Sequence, residues 1–301
     1  MASPVWLQQA ERSSVWALRA LVAFTLLLGR RAGHLILHPI ALYFMLSGSR
    51  ARRASRRYLG RVLGRAASWR EGYTHFHTFA VVSLDRIFLM RERFDRFDVR
   101  VHGEEVLLAA RACGEGRLML GGHLGSFEAP RVLGRLQPVF VNLVMYEENA
   151  RKIASVCKAL DPELLNRIIA LGNVDSMLRV ADRLERGEWV GVLADRTVDD
   201  GARHAVSFLG APASFALAPF RMAAMLKAEV VFMVALYRGG NRYDLHFEKL
   251  IDAEEFNRRD RAEAVREWTE RYAARLEHFC RMAPYNWFNF YDFWDERERA
   301  R

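Results

Sequence analysis

The chain has 301 residues, enough to bury a sizeable core without disulfide staples. Its 51% hydrophobic and 27% charged residues exclude general disorder, and 20 Gly with 8 Pro exclude collagen-like and low-complexity chains. Lys+Arg 45 against Asp+Glu 36 gives a net charge of +9, which suits an anionic partner.

Lysine occurs only at Lys152, Lys158, Lys227 and Lys249, so arginine carries the charge. Its planar fork matches phosphate, and the plain alternative is codon bias. Three widely spaced cysteines (Cys113, Cys157, Cys280) without a Cys-x-x-Cys pattern argue against a disulfide scaffold or structural zinc. They fit a reduced, cytosol-facing protein.

Val15 to Leu28 and Ala32 to Leu46 are apolar runs separated by Gly29-Arg30-Arg31. Each is shorter than the ~20 residues that cross a bilayer. Joined, they would bury the two arginines of that break in lipid. The pattern predicts helices lying in one leaflet, or else a helical pair buried in the protein. Seven arginines follow, from Arg50 to Arg65, and would favour an anionic membrane surface. The expected organisation is a hydrophobic, membrane-associated segment at 1–48, a basic connection at 49–69 and an α/β domain at 70–301.

Within that domain, Tyr73–Met90 reads as a helix and Arg117–Gly121 as a buried strand. Pro138–Tyr146 is β-rich. Helical patterns cover Ala150–Leu160, Pro162–Leu171 and Ser176–Arg186, the last capped by Asp175 and ended by Gly187. Trp189–Ala194 and His204–Leu209 read as strands and Ala218–Lys227 as a helix. Glu229–Leu236 and Tyr243–Phe247 form a hairpin through Gly239-Gly240-Asn241. Asp260–Met282 is a long amphipathic helix. The alternation predicts an α/β fold with a mixed central sheet flanked by helices.

The sharpest motif is Gly121-Gly122-His123-Leu124-Gly125-Ser126-Phe127-Glu128, a strand running into glycines and then His-x-x-x-x-Glu. The C-terminal end of a strand is where open α/β sheets place their sites. On one continuous helix His123 and Glu128 would diverge. They meet if His123 is in the loop and Glu128 in a first helical turn capped by Ser126. A carboxylate on one imidazole nitrogen would leave the other free to take a proton.

No Gly-x-Ser-x-Gly elbow and no nucleotide-phosphate cradle occurs. His75 and His77 are ordinary polar positions rather than metal ligands, and no metal or cofactor is expected. The tail from Tyr285 to Trp294 alternates aromatics with asparagine, as a bilayer interface, a base-stacking surface or a strip packed on the domain would.

Three segments together carry a resemblance: His123 to Glu128, Leu193-Ala194-Asp195-Arg196, and Phe208-Leu209-Gly210-Ala211-Pro212-Ala213. With the aromatic tail they resemble the bacterial late lipid A acyltransferases (lauroyl and myristoyl transferases), a branch of the lysophospholipid acyltransferase superfamily. The likeness covers about residues 10 to 290 and is that of a divergent member. It implies His123 as general base and Glu128 as its acidic partner. Asp195 matches the acid after the central strand, although Arg196-Thr197-Val198 departs from the usual Asp-x-Asp. Gly122, Gly125, Arg167, Asp195 and Arg196 are the implied substrate-binding positions. Arg167 would face an acceptor phosphate, and it or backbone N–H groups of Gly121–Gly125 would steady an oxyanion. Gly210 and Pro212 match a structural turn.

The expected activity is transfer of a fatty acyl chain from an acyl thioester, on acyl carrier protein or coenzyme A, to a hydroxyl of a lipid or glycolipid acceptor. The expected setting is the cytoplasmic face of a bacterial inner membrane, with no nucleic acid. Transfer to an amine, or a non-enzymatic membrane or nucleic-acid binding module on the same fold, are the alternatives.

Overall fold

The computed structural model describes residues 15–133, 141–146, 166–171, 174–196, 201–257 and 259–294. Four helices come first: α1 (Val15–Leu28), α2 (Arg30–Ser47), α3 (Ser49–Leu63) and α4 (Trp69–Met90). Then follow β1 (Asp98–His102), α5 (Glu104–Ala112), β2 (Leu118–Gly121), β3 (Val141–Tyr146) and β4 (Ile168–Leu171). The chain continues as α6 (Val174–Glu185), β5 (Trp189–Leu193), β6 (Arg203–Phe208), β7 (Ala211–Ala216) and α7 (Ala218–Leu226). It ends with β8 (Val230–Tyr237), β9 (Arg242–Ile251) and α8 (Arg261–Met282).

Seven strands form one sheet in the order β1-β9-β8-β2-β5-β3-β4. β8, β2, β5, β3 and β4 run parallel, and β9 and β1 oppose them, so the sheet is mixed as expected. β6 and β7 form a separate antiparallel hairpin. The uninterrupted apolar runs of β2, β5 and β8 reflect burial on both faces. Leu118, Leu120, Val190, Phe232 and Val234 face α3, α7 and α8, where Tyr58, Phe220, Trp268 and Tyr272 pack. Met119, Val231, Met233 and Tyr243 face α4 and α5.

Local signals fix the long helices. Ser68 and Glu71 form a capping box at the start of α4, and Asp260 accepts from the N–H groups of Ala262 and Glu263 at the start of α8. The expected helix over Pro162–Leu171 is corrected: Ile168–Leu171 is strand β4, paired in parallel with β3. Ile168-Ile169-Ala170-Leu171 is an apolar run too short for periodicity to separate helix from strand, and pairing decides it. The expected helix at 150–160 lies outside the described residues.

The two apolar runs are helices α1 and α2, and no helix among the described residues is long and apolar enough to cross a membrane. Leu37, Ala41 and Met45, four apart on α2, pack against Phe76, Val81 and Leu84 of α4. The outer face carries Leu27, Leu35, Tyr43 and Leu46, all exposed. Arg30 points into the protein. Its Nε and Nη2 fork the fully buried Asp85 at 2.6 and 2.7 Å, and the Tyr243 hydroxyl donates to the same carboxylate at 2.8 Å.

That ion pair pins α2 to α4 and β9. Removing one partner of a buried pair leaves an uncompensated charge, at a cost of about 3–5 kcal/mol. Arg30→Met is expected to lower the denaturation free energy by that order in guanidinium titrations. An unchanged midpoint and slope would contradict the role given to the pair.

Candidate active site

β2 ends at Gly121 in the middle of the sheet, and His123 follows at its C-terminal end. β5 lies beside it in parallel and ends at Leu193, so Asp195 arrives at the same level. The two meet. His123 Nδ1 lies 2.7 Å from Asp195 Oδ1, and the His123 backbone N–H donates to Oδ2 at 2.8 Å. The Trp287 indole N–H donates to Oδ2 at 2.9 Å.

Gly122 is the residue that permits this, because a Cβ there would sit 3.2 Å from Asp195 Cγ and 3.0 Å from Leu276. Gly125 has φ +74° and lies so close to the Ala235 carbonyl that a Cβ would fall 1.9 Å from its oxygen. Only glycine turns the loop at that point.

Asp195 is buried, which by itself would raise its pKa. The His123 imidazole, Arg196 and the Trp287 N–H outweigh this and hold it at about 2. The carboxylate is therefore the acceptor, Nδ1–H is the donor, and Nε2 keeps its lone pair. Burial pushes the imidazole below its ordinary pKa, and the charges of Arg196 and Arg86 add to this while Asp195 opposes it. His123 is thus neutral at neutral pH. Its side chain is 28% exposed, so Nε2 belongs to a group that a substrate can reach.

The expected His123–Glu128 pair is corrected. Glu128 ion-pairs with Arg86 of α4, and the imidazole's carboxylate is Asp195. The cause is local. After the Gly125 turn, Ser126 accepts from the Ala129 N–H at 3.1 Å and starts a short 3-10 turn, Ala129–Val132, rather than an α-helix. Ser126 does cap, as expected, but Glu128 precedes the turn and is directed to α4. The spacing does bring Glu128 and His123 onto one loop, where Arg86 links them through its charge.

Arg196, next to Asp195, donates to the Phe288 carbonyl at 3.1 Å and lies over the Tyr291 ring. Arg167 is not brought to this site. It precedes β4, level with Leu118 at the start of β2, by the registers Ile168–Leu143, Leu143–Gly191 and Gly191–Met119. It therefore stands at the opposite end of the sheet, about 16 Å down and three strand spacings of ~4.8 Å aside. The backbone donors are also largely committed. The N–H of His123 goes to Asp195, that of Gly125 to the Asn286 carbonyl and that of Ser126 to the Ala235 carbonyl.

Sequence reasoning missed the part played by the tail. Trp287 is fully buried and bridges to Leu124, and the Phe288 N–H donates to the His123 carbonyl at 2.8 Å. Asn286 clasps the Tyr237 backbone through both side-chain atoms. Of the readings for the aromatic tail, packing on the domain is the observed one. His75 is also a framework residue. Burial holds its pKa down to about 4, so it is neutral, donating Nε2–H to the Trp287 carbonyl and accepting at Nδ1 from Ser55, each at 2.8 Å. The third motif supports the same indole: Phe208 packs edge-on to Trp287, and Leu209-Gly210 make the β6–β7 turn with positive φ. A buried tryptophan among asparagines was the available signal.

The sequence model of the bacterial lipid A biosynthesis acyltransferase family matches residues 7–295. No curated protein matches the chain.

Trp287→Phe keeps an aromatic body against Tyr58, Phe208 and Phe293 and deletes the donor to Asp195. A hydrogen bond to a charged group contributes about 1.5–3 kcal/mol. Urea unfolding at neutral pH is expected to show a loss of that size. Wild-type stability would show that the indole N–H does not matter to Asp195.

Proposed function

The chain belongs to the bacterial lipid A biosynthesis acyltransferase family, and from that premise we propose that it moves a fatty acyl chain from an acyl thioester to a hydroxyl of a lipid or glycolipid acceptor. The observation that carries this reading is the neutral His123 with Nδ1–H held by Asp195 and Nε2 free of the carboxylate. A hydroxyl oxygen placed at Nε2 attacks the thioester carbonyl as His123 takes its proton. Asp195 fixes the tautomer and stabilises the imidazolium that forms. The proton then passes to the leaving thiolate, so atoms and charge balance without a cofactor. Arg196 and Arg86 are cations whose fields reach His123 and would stabilise negative charge on the carbonyl oxygen. Arg86, held by Glu128, takes the place of Arg167 in this role.

The donor is an acyl carrier protein or acyl coenzyme A, both anionic and both suited to a chain of net charge +9. The setting is the cytoplasmic face of a bacterial inner membrane. Support comes from the exposed Leu27, Leu35, Tyr43 and Leu46 on α1 and α2. Arg50, Arg53 and Arg56 on α3 are also exposed and have no ion pair among the described residues. Other arginines of that run are engaged by groups of the chain itself: Arg52 binds the Met45 and Leu46 carbonyls, Arg57 pairs with Asp292, and Arg65 with Glu71.

Three measurements test the reading. Mass spectrometry of lipids from a deletion strain should show an acceptor lighter by one acyl unit, and an unchanged lipid profile would remove the proposal. In purified protein, Asp195→Asn should lower kcat/KM by about 10²- to 10⁴-fold. Glu128→Gln should lower it less, since Glu128 acts through Arg86, and the reverse ranking would return the orienting role to Glu128. The pH profile of kcat/KM should be flat through neutrality, with its acid limb below the ordinary imidazole value of 6.5. A limb above pH 7 would contradict a depressed His123.

Membrane contact is tested separately. Leu27→Gln with Leu35→Gln should weaken binding to anionic vesicles about tenfold or more, at ~1.5–3 kcal/mol per buried leucine. Added salt should weaken it further. Equal binding by the double variant would show that α1 and α2 do not enter lipid.

A further inference from the structure

β1 and β9 pair in parallel at one end of the sheet order, with His102 opposite His246 and Arg100 opposite Asp244. Alternation on β9 sends Tyr243, Leu245 and Phe247 to the α4/α5 core. Asp244, His246 and Glu248 therefore share the α8 face, and the His102 ring stacks on His246 with centroids 4.5 Å apart. Ligand-capable atoms of His102, Asp244 and His246 all lie within 4.8 Å of one another. Asp244 is buried, His246 half-buried and His102 exposed, so the cluster opens to solvent on one side.

The surrounding charges are these. Arg242 forks both Asp244 oxygens at 2.9 Å, and Arg238 Nε lies 3.3 Å from Oδ2. Glu248 is held by Arg275, whose guanidinium lies over Phe279, and Phe279 in turn backs the His246 ring at 4.9 Å. A carboxylate offers about four lone-pair sites. Arg242 takes two and Arg238 stands beside Oδ2, so Oδ1 keeps a free lone pair.

We propose that His102, His246 and Asp244 form a binding site for a borderline divalent transition metal of the Zn²⁺ class, separate from the His123 site. Two imidazoles select such ions over Mg²⁺ and Ca²⁺, which require oxygen ligands. Arg238 and Arg242 disfavour any dication held mainly by carboxylate, so the two imidazoles are the anchoring ligands and Asp244 the third. Metal–nitrogen bonds of about 2.0–2.1 Å put tetrahedral ligand atoms roughly 3.4 Å apart, a closure that side-chain rotation supplies. The open side leaves a fourth position for water. The ligands come from strands far apart in sequence, so no local motif announces them.

The test is calorimetric titration of Zn²⁺ into the full chain in detergent, beside His102→Ala and His246→Gln, with X-ray absorption on the loaded protein. His102 is exposed, so its variant is expected to fold. Wild type should bind one ion that each variant binds more than about a hundredfold more weakly, beyond the 10- to 100-fold effect of outer-shell partners. The absorption spectrum should show two imidazoles on the metal. Equal stoichiometry and affinity in wild type and both variants, or a spectrum without paired imidazoles, would overturn the assignment. His34, His38 and His77, where His38 stacks on His77, are a second place for an adventitious ion, and such an ion would be unaffected by either substitution.

Discussion

One buried carboxylate organises the centre of this protein. Asp195 accepts three N–H groups, from the His123 backbone, the His123 ring and the Trp287 indole. An ionised carboxylate out of water is stable only when so satisfied. In meeting that demand it joins the end of β2, the end of β5 and the C-terminal tail, segments that are remote in sequence. Gly122 is small because this carboxylate fills the space a side chain would take. The same contact orients the imidazole, while burial and nearby arginines keep it neutral against the pull of the carboxylate.

The tail and the N-terminal helices form the outer layers of this centre. Trp287 passes the constraint outward through its carbonyl to His75 and then Ser55, so α3 and α4 are tied to the His123 loop by buried hydrogen bonds. Phe208, Phe293 and Tyr58 enclose the indole edge-on. Arg30 and Asp85 do for α2 what Trp287 does for the tail, fixing an apolar helix to the domain by a buried polar contact. The opposite face of α2 carries the exposed Leu35, Tyr43 and Leu46.

Much of this was legible in the sequence. The central strands β2, β5 and β8 announce themselves as short apolar runs bounded by turns, and the Gly-Gly-His loop marks the end of one of them. Asp260 and the Ser68–Glu71 box mark helix starts through side-chain chemistry that is local by nature. Pairings across the fold were less legible. His-x-x-x-x-Glu suggests a local dyad, yet backbone turns at Gly125 and Ser126 send Glu128 toward Arg86 and leave His123 to a strand 70 residues on. Ile168–Leu171 reads as helix until β3 offers it hydrogen bonds, and that change carries Arg167 to the far end of the sheet.

The central claim is that His123 is the proton acceptor in acyl transfer. Its most direct test is the rate of acyl transfer from thioester to lipid acceptor by purified His123→Ala, with folding verified by its unfolding transition. Loss of a positioned general base should reduce kcat/KM by about 10²- to 10⁴-fold in protein that still unfolds cooperatively, its stability lowered by about 1.5–3 kcal/mol through the lost N–H donor to Asp195. A folded His123→Ala protein that transfers acyl chains at the wild-type rate would contradict the account.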